Sequence, residues 1–124
     1  MHVLAVLIAT LTFFHTPSHN VACVEIAGYS TSLRCDILSG LKPRPARPRG
    51  CTLDWGFGYI MVETGKPSLT CAGDSANDPH AKTIPYGVTW RIGPFICTSK
   101  RTGLHCQNRT GHGFFLSRAH SFRF

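Results

Sequence analysis

Six cysteines constrain this chain more than any other feature: Cys23, Cys35, Cys51, Cys71, Cys97 and Cys106, spread widely through 124 residues. An even number at wide spacing in a short chain is the pattern of a disulfide framework, which forms in oxidising, extracytoplasmic compartments. No two stand in C-x-x-C spacing, so zinc-knuckle and thioredoxin-like patterns are absent. The sequence indicates no metal and no cofactor. The competing reading is six reduced thiols packed as small hydrophobes in a cytosolic protein.

Cysteine count alone leaves the connectivity open, but the chain contains an internal echo. Asn20-Val21-Ala22-Cys23 is followed by a loop and then Ser32-Leu33-Arg34-Cys35-Asp36. Phe95-Ile96-Cys97 is followed by Ser99–Gly103 and then Leu104-His105-Cys106-Gln107-Asn108. Each half reads as two antiparallel strands joined by a short loop, and opposed residues of such strands lie close enough for a disulfide. The spacing predicts Cys23–Cys35 and Cys97–Cys106, with Cys51–Cys71 by elimination.

The rest of the chain is written in strand and turn language. Twelve glycines and eight prolines punctuate stretches of β-branched and aromatic residues, and no long amphipathic helix period is present. Expected strands cover 21–26, 33–38, 56–64, 68–72, 83–90, 93–98, 104–108 and 114–118. Gly40 to Gly50 carries Pro43, Pro45 and Pro48 and is expected to be an exposed, partly extended connection. These elements predict an all-β fold, a small antiparallel sandwich or barrel stapled by three disulfides. At this length the chain holds one domain, since domains run to ~100–150 residues. A hydrophobic share of 43% argues for a folded globule and against disorder.

Val3 to Phe14 forms an apolar run of twelve residues. It is too short for a membrane-spanning helix, which needs ~20 residues, and it fits the apolar region of a signal peptide. No Lys or Arg precedes it and no A-x-A follows, which marks an atypical or partial signal. The alternative is a buried strand or helix of the domain itself.

Several motifs resemble a family of short exported proteins common in actinobacteria whose function is not established. They are Thr16-Pro17-Ser18-His19-Asn20-Val21-Ala22-Cys23, Arg34-Cys35-Asp36-Ile37, Cys51-Thr52-Leu53-Asp54-Trp55-Gly56, Cys71-Ala72-Gly73-Asp74, Pro85-Tyr86-Gly87, Gly103–Asn108 and Thr110–Arg118. The resemblance implies export and an all-β disulfide domain, and it supplies no catalytic residue. His19 stands where the family pattern has a small residue, usually glycine. The first family motif begins near Phe14, which implies a leader over residues 1–13 and a domain over 14–124.

Candidate functional residues fall into three groups. Asp54 and Asp74, each beside a glycine and near a cysteine, form a possible carboxylate pair of the kind a glycosidase uses. His112, between Gly111 and Gly113, adds a candidate proton-transfer group. The bland reading has the carboxylates satisfying turn backbone and the glycines supplying a bulge. Lys42, Arg44, Arg47 and Arg49 make a stiff basic loop suited to an anionic surface, in a chain of net charge +7. That loop lacks the interleaved aromatics used to stack bases, so sequence-specific nucleic-acid binding is not expected. Trp55, Phe57 and Tyr59 lie at period two and are expected to share one strand face, as core or as a sugar-stacking platform. Asn108-Arg109-Thr110 matches a glycosylation sequon.

The favoured reading is a secreted or envelope-associated, non-enzymatic binding module. Its partner would be an anionic cell-envelope polymer or an extracellular protein. The alternatives are a small extracellular hydrolase using Asp54, Asp74 and His112, or a secreted inhibitor or effector.

Overall fold

The computed structural model describes residues 8–124, and every regular element in that range is a β-strand. Eleven strands follow in order: β1 Thr10–His15, β2 Val21–Ala27, β3 Ser32–Ile37, β4 Gly58–Val62, β5 Ser68–Leu69, β6 Lys82–Thr83, β7 Thr89–Ile92, β8 Phe95–Lys100, β9 Gly103–Gln107, β10 Gly113–Leu116 and β11 Ser121–Arg123. They form a six-stranded sheet in the order β5-β4-β3-β2-β1-β6 and a five-stranded sheet in the order β11-β10-β9-β8-β7. Neighbours pair antiparallel throughout, except that β6 joins β1 in parallel. The described residues include no helix long and apolar enough to cross a membrane.

Period-two alternation sends one set of side chains from each sheet into a shared core. The first sheet contributes Phe14, Val21, Cys23, Leu33, Cys35, Ile37, Tyr59 and Met61, and the second contributes Ile92, Phe95, Cys97, Leu104, Cys106, Phe114 and Leu116. Aromatic contacts join the layers, with Phe14 edge-on to Trp90 at 4.7 Å and Tyr59 stacked on Phe114 at 5.8 Å.

All three expected disulfides form. Cys23 is the register partner of Cys35, and Cys97 of Cys106. Each pair bridges two adjacent interior strands of its sheet, β2 to β3 and β8 to β9, with a Cα separation of 4.1 Å. The echo extends further than the cysteines. On the next strand of each sheet a glycine lies against the backbone of the second cysteine. A β-carbon on Gly58 would overlap the Cys35 carbonyl oxygen, and one on Gly113 would overlap that of Cys106. Both positions therefore require glycine.

The structure departs from the sequence expectations at several elements. Thr10–Phe13, read as part of the leader, belong to β1 and pair with Val24–Ala27. An apolar run supplies a sheet strand as readily as a signal peptide. Residues 1–7 of that leader expectation lie outside the described residues. The strand expected over 56–64 begins only at Gly58, because Gly56 takes φ 86° and turns the chain. The one expected over 83–90 is two elements, β6 and β7, separated by the Pro85-Tyr86-Gly87 turn. A final strand, β11, follows the last expected one.

Candidate functional site

Where a sandwich closes its strands with turns, the two ends of the molecule collect loops and open clefts. One end of this molecule holds a hollow of about 470 Å³. Beneath it the sandwich core ends in two buried register pairs, Val21 with Ile37 from the first sheet and Leu104 with Leu116 from the second. Three turns wall it: Thr16–Asn20 between β1 and β2, Lys100–Gly103 between β8 and β9, and Ser117–His120 between β10 and β11.

Each turn is fixed by its own hydrogen bonds. His19 N donates to Thr16 O at 2.9 Å and Thr16 N to Val21 O at 3.0 Å. Ser117 Oγ donates to His120 O at 2.7 Å, while His120 N donates back to Ser117 Oγ at 3.1 Å. That reciprocal pair holds Arg118 and Ala119 at the tip of the turn. The rim carries exposed Lys100, Arg101, Arg118 and His120, and no Asp or Glu lines the hollow. Arg101 lies over the Tyr86 ring at 5.0 Å. The ion pairs among the described residues are made by Arg34 and Arg109, so none neutralises this rim.

A second hollow, about 320 Å³, brings together Asp54, Asp74, Trp55, Phe57, Arg34 and Asp36. It lies over the outer face of the six-stranded sheet. Arg34 organises it, donating to Asp36 Oδ2 at 2.8 Å and to Asp74 Oδ1 at 2.9 Å. Asp36 Oδ2 also accepts Ala76 N at 2.8 Å, which pins the 72–78 loop to the sheet. The hydrogen bond from Arg34, aided by its charge, holds the Asp74 carboxyl below the ordinary carboxylate range. Asp74 is thus an ionised partner of Arg34, in the geometry of a structural clamp.

His112 lines neither hollow. It sits in the turn between β9 and β10, where its backbone N–H donates to Asn108 Oδ1 at 3.1 Å. The hydrolase constellation therefore divides, with Asp54 and Asp74 in one hollow and His112 apart from both. Asn108 is itself a hub. Its Nδ2 donates to Val62 O and Gly65 O, at 3.0 and 2.9 Å, and its Oδ1 also accepts from Thr110. The nitrogen a glycan would need is buried and committed to two carbonyls, so the sequon acts as a turn lock.

The basic loop is folded onto the body. Arg44 and Arg47 lie over the Trp55 ring at 4.7 and 4.2 Å, and Trp55 Nε1 donates to Pro45 O at 3.2 Å. All four basic residues of the loop, Lys42, Arg44, Arg47 and Arg49, are nonetheless exposed. Tyr59 is a core residue, whereas Phe57 is 46% exposed, so the expected aromatic stripe is split between loop, surface and core. Among the described residues, no three His, Cys, Asp or Glu side chains gather as a metal site.

These features define a class: a disulfide-stapled β-sandwich with a cation-rimmed hollow at one open end. The chain belongs to the family of unknown function DUF6636, whose model matches residues 4–124. No curated protein and no solved structure matches it.

Proposed function

We propose that this protein is an exported, non-enzymatic binding module that takes an anionic ligand of the cell envelope or the extracellular space. The observation that carries this reading is the end hollow, whose rim holds Lys100, Arg101, Arg118 and His120 with no carboxylate among its lining residues. Cations left unneutralised around a concave surface focus a positive potential and draw in anions. The net charge of +7 acts in the same direction. Three disulfides support export, since such bonds persist outside the reducing cytosol. The actinobacterial resemblance of the motifs supports it as well.

Elution from immobilised heparin, a generic polyanion, tests the reading. Two variants lose the same charge: Lys100→Ala/Arg118→Ala at the hollow and Lys42→Ala/Arg49→Ala in the proline-rich loop. The hollow variant is expected to elute at distinctly lower salt than the loop variant. Equal elution would mean that only net charge matters, and the reading would fail.

A further inference from the structure

We infer that the rim of the end hollow docks on an anionic lipid surface, joined there by an aromatic patch on the adjoining sheet face; this rests on the anion-binding reading above. Charge is divided unevenly along the chain. All six acidic residues lie between Glu25 and Asp78. The segment from Pro79 to Phe124, which contains the whole five-stranded sheet, carries seven Lys or Arg and no Asp or Glu. A second copy presenting the same half would be repelled, whereas an anionic surface is attracted.

The outer face of that sheet bears the patch. His105, Phe115 and Phe122 are successive register partners on β9, β10 and β11, so they share one face. Leu104, Phe114 and Leu116 point into the core, which places these three on the outside. Phe115, Phe122 and His120 are mutual neighbours, with ring centroids 5.3, 5.5 and 5.8 Å apart. The Phe122 ring is 45% exposed, and His120 is exposed as well. Gly103 brings the patch up to the rim. A β-carbon there would strike the Phe115 ring, so that ring reaches the base of the turn carrying Lys100 and Arg101. On the other side, His120 closes the turn carrying Arg118. Exposed rings and exposed cations thus meet at one corner of the molecule.

Phenyl rings beside Lys and Arg suit a bilayer interface, with the rings at the acyl boundary and the cations among the head groups. A platform for sugars would need acceptors for their hydroxyls, since Lys and Arg only donate. The turns at 100–103 and 117–120 and the strands β10 and β11 contain no Asn, Gln, Asp or Glu.

Co-sedimentation of the full, disulfide-intact chain with phosphatidylcholine vesicles, with and without phosphatidylglycerol, tests this. The anionic vesicles are expected to bind at least tenfold more tightly than the neutral ones. Lys100→Ala/Arg118→Ala should weaken that binding at least tenfold, at about fivefold for each cation brought to an anionic leaflet. Phe122→Ser, at an exposed ring, should weaken it at least fivefold and leave heparin elution unchanged, while Phe122→Trp should retain it in full. If Phe122→Ser leaves vesicle binding unchanged, or Phe122→Trp loses as much as Phe122→Ser, the lipid inference fails while the anion reading stands. Equal binding to neutral vesicles, or none to either kind, also overturns the lipid inference; the anion reading then stands or falls on the heparin comparison of the hollow and loop variants. A drop in heparin elution with Phe122→Ser would make the patch a sugar platform and overturn the lipid inference too.

Discussion

Replacing Cys51 and Cys71 together by alanine removes the staple that lies at the margin of the core. Cys51 is buried at 6% exposure, but Cys71 is exposed, and the bond ties the 51–55 loop to the segment that follows β5. Little packing is lost with it, so the cost is mainly the conformational freedom returned to the unfolded chain. The bond closes a loop with a sequence separation of 20, for which the chain-entropy relation gives about 3 kcal/mol. At roughly 4 °C per kcal/mol for a domain of this size, the midpoint should fall by about 12 °C. The matching change at Cys97 and Cys106 opens a shorter loop, of separation 9. It also removes two fully buried sulfurs from the core, so it should cost more despite its smaller entropic share. Urea unfolding followed by far-UV circular dichroism, with the remaining pairs verified by peptide mapping, gives both values. The Cys51/Cys71 variant should show an increased m, because its unfolded state is less constrained. A larger loss for Cys51/Cys71 than for Cys97/Cys106 would refute the division into peripheral and core staples.

Other changes probe the core, the backbone and the pH response. Gly58→Ala and Gly113→Ala each force a β-carbon into the carbonyl of the cysteine beside it, and each should cost about 3 kcal/mol or more or abolish folding, read by the same urea titration. His19 holds φ 61°, a left-handed conformation that costs most residues about 1–2 kcal/mol. His19→Gly should therefore raise stability by about 1 kcal/mol, the loss of its ring contact with His15 at 4.1 Å reducing the gain; no rise in the urea midpoint would count against this. Glu25 faces inward against the Gly93 turn, and burial pushes its carboxyl above its ordinary value of 4.5. Its contribution to stability is fully present below pH 4.5 and is lost as pH rises through the higher folded-state value. Glu25→Gln should thus raise the thermal midpoint at pH 7, and the gain should vanish at pH 4; a gain independent of pH would contradict the burial argument.

The disulfides were legible in the sequence because opposed positions on a short hairpin already determine which cysteines can meet. The all-β class was legible for a related reason: glycine and proline punctuation leaves no room for a helix. The Trp55-Phe57-Tyr59 stripe misled because alternation carries a face assignment only along a continuous strand, and Gly56 breaks that one. The apolar run before His15 was ambiguous because a signal segment and a buried strand draw on the same residues. The end hollow had no sequence signature. Its cations come from turns far apart in the chain, Lys100 and Arg101 in one and Arg118 in another, and only the closing of the two sheets places them on one rim. The single local hint was that neither turn carries a carboxylate. The basic loop over 42–49 was the louder signal, yet two of its arginines are engaged with Trp55.

Amide chemical-shift mapping during titration with a short heparin oligosaccharide puts these two basic regions in direct competition. Binding at the end hollow predicts that the largest shifts fall on Lys100–Gly103 and Ser117–His120, with residues 42–49 little changed. Shifts concentrated on 42–49, or spread evenly over the basic surface, would contradict the account.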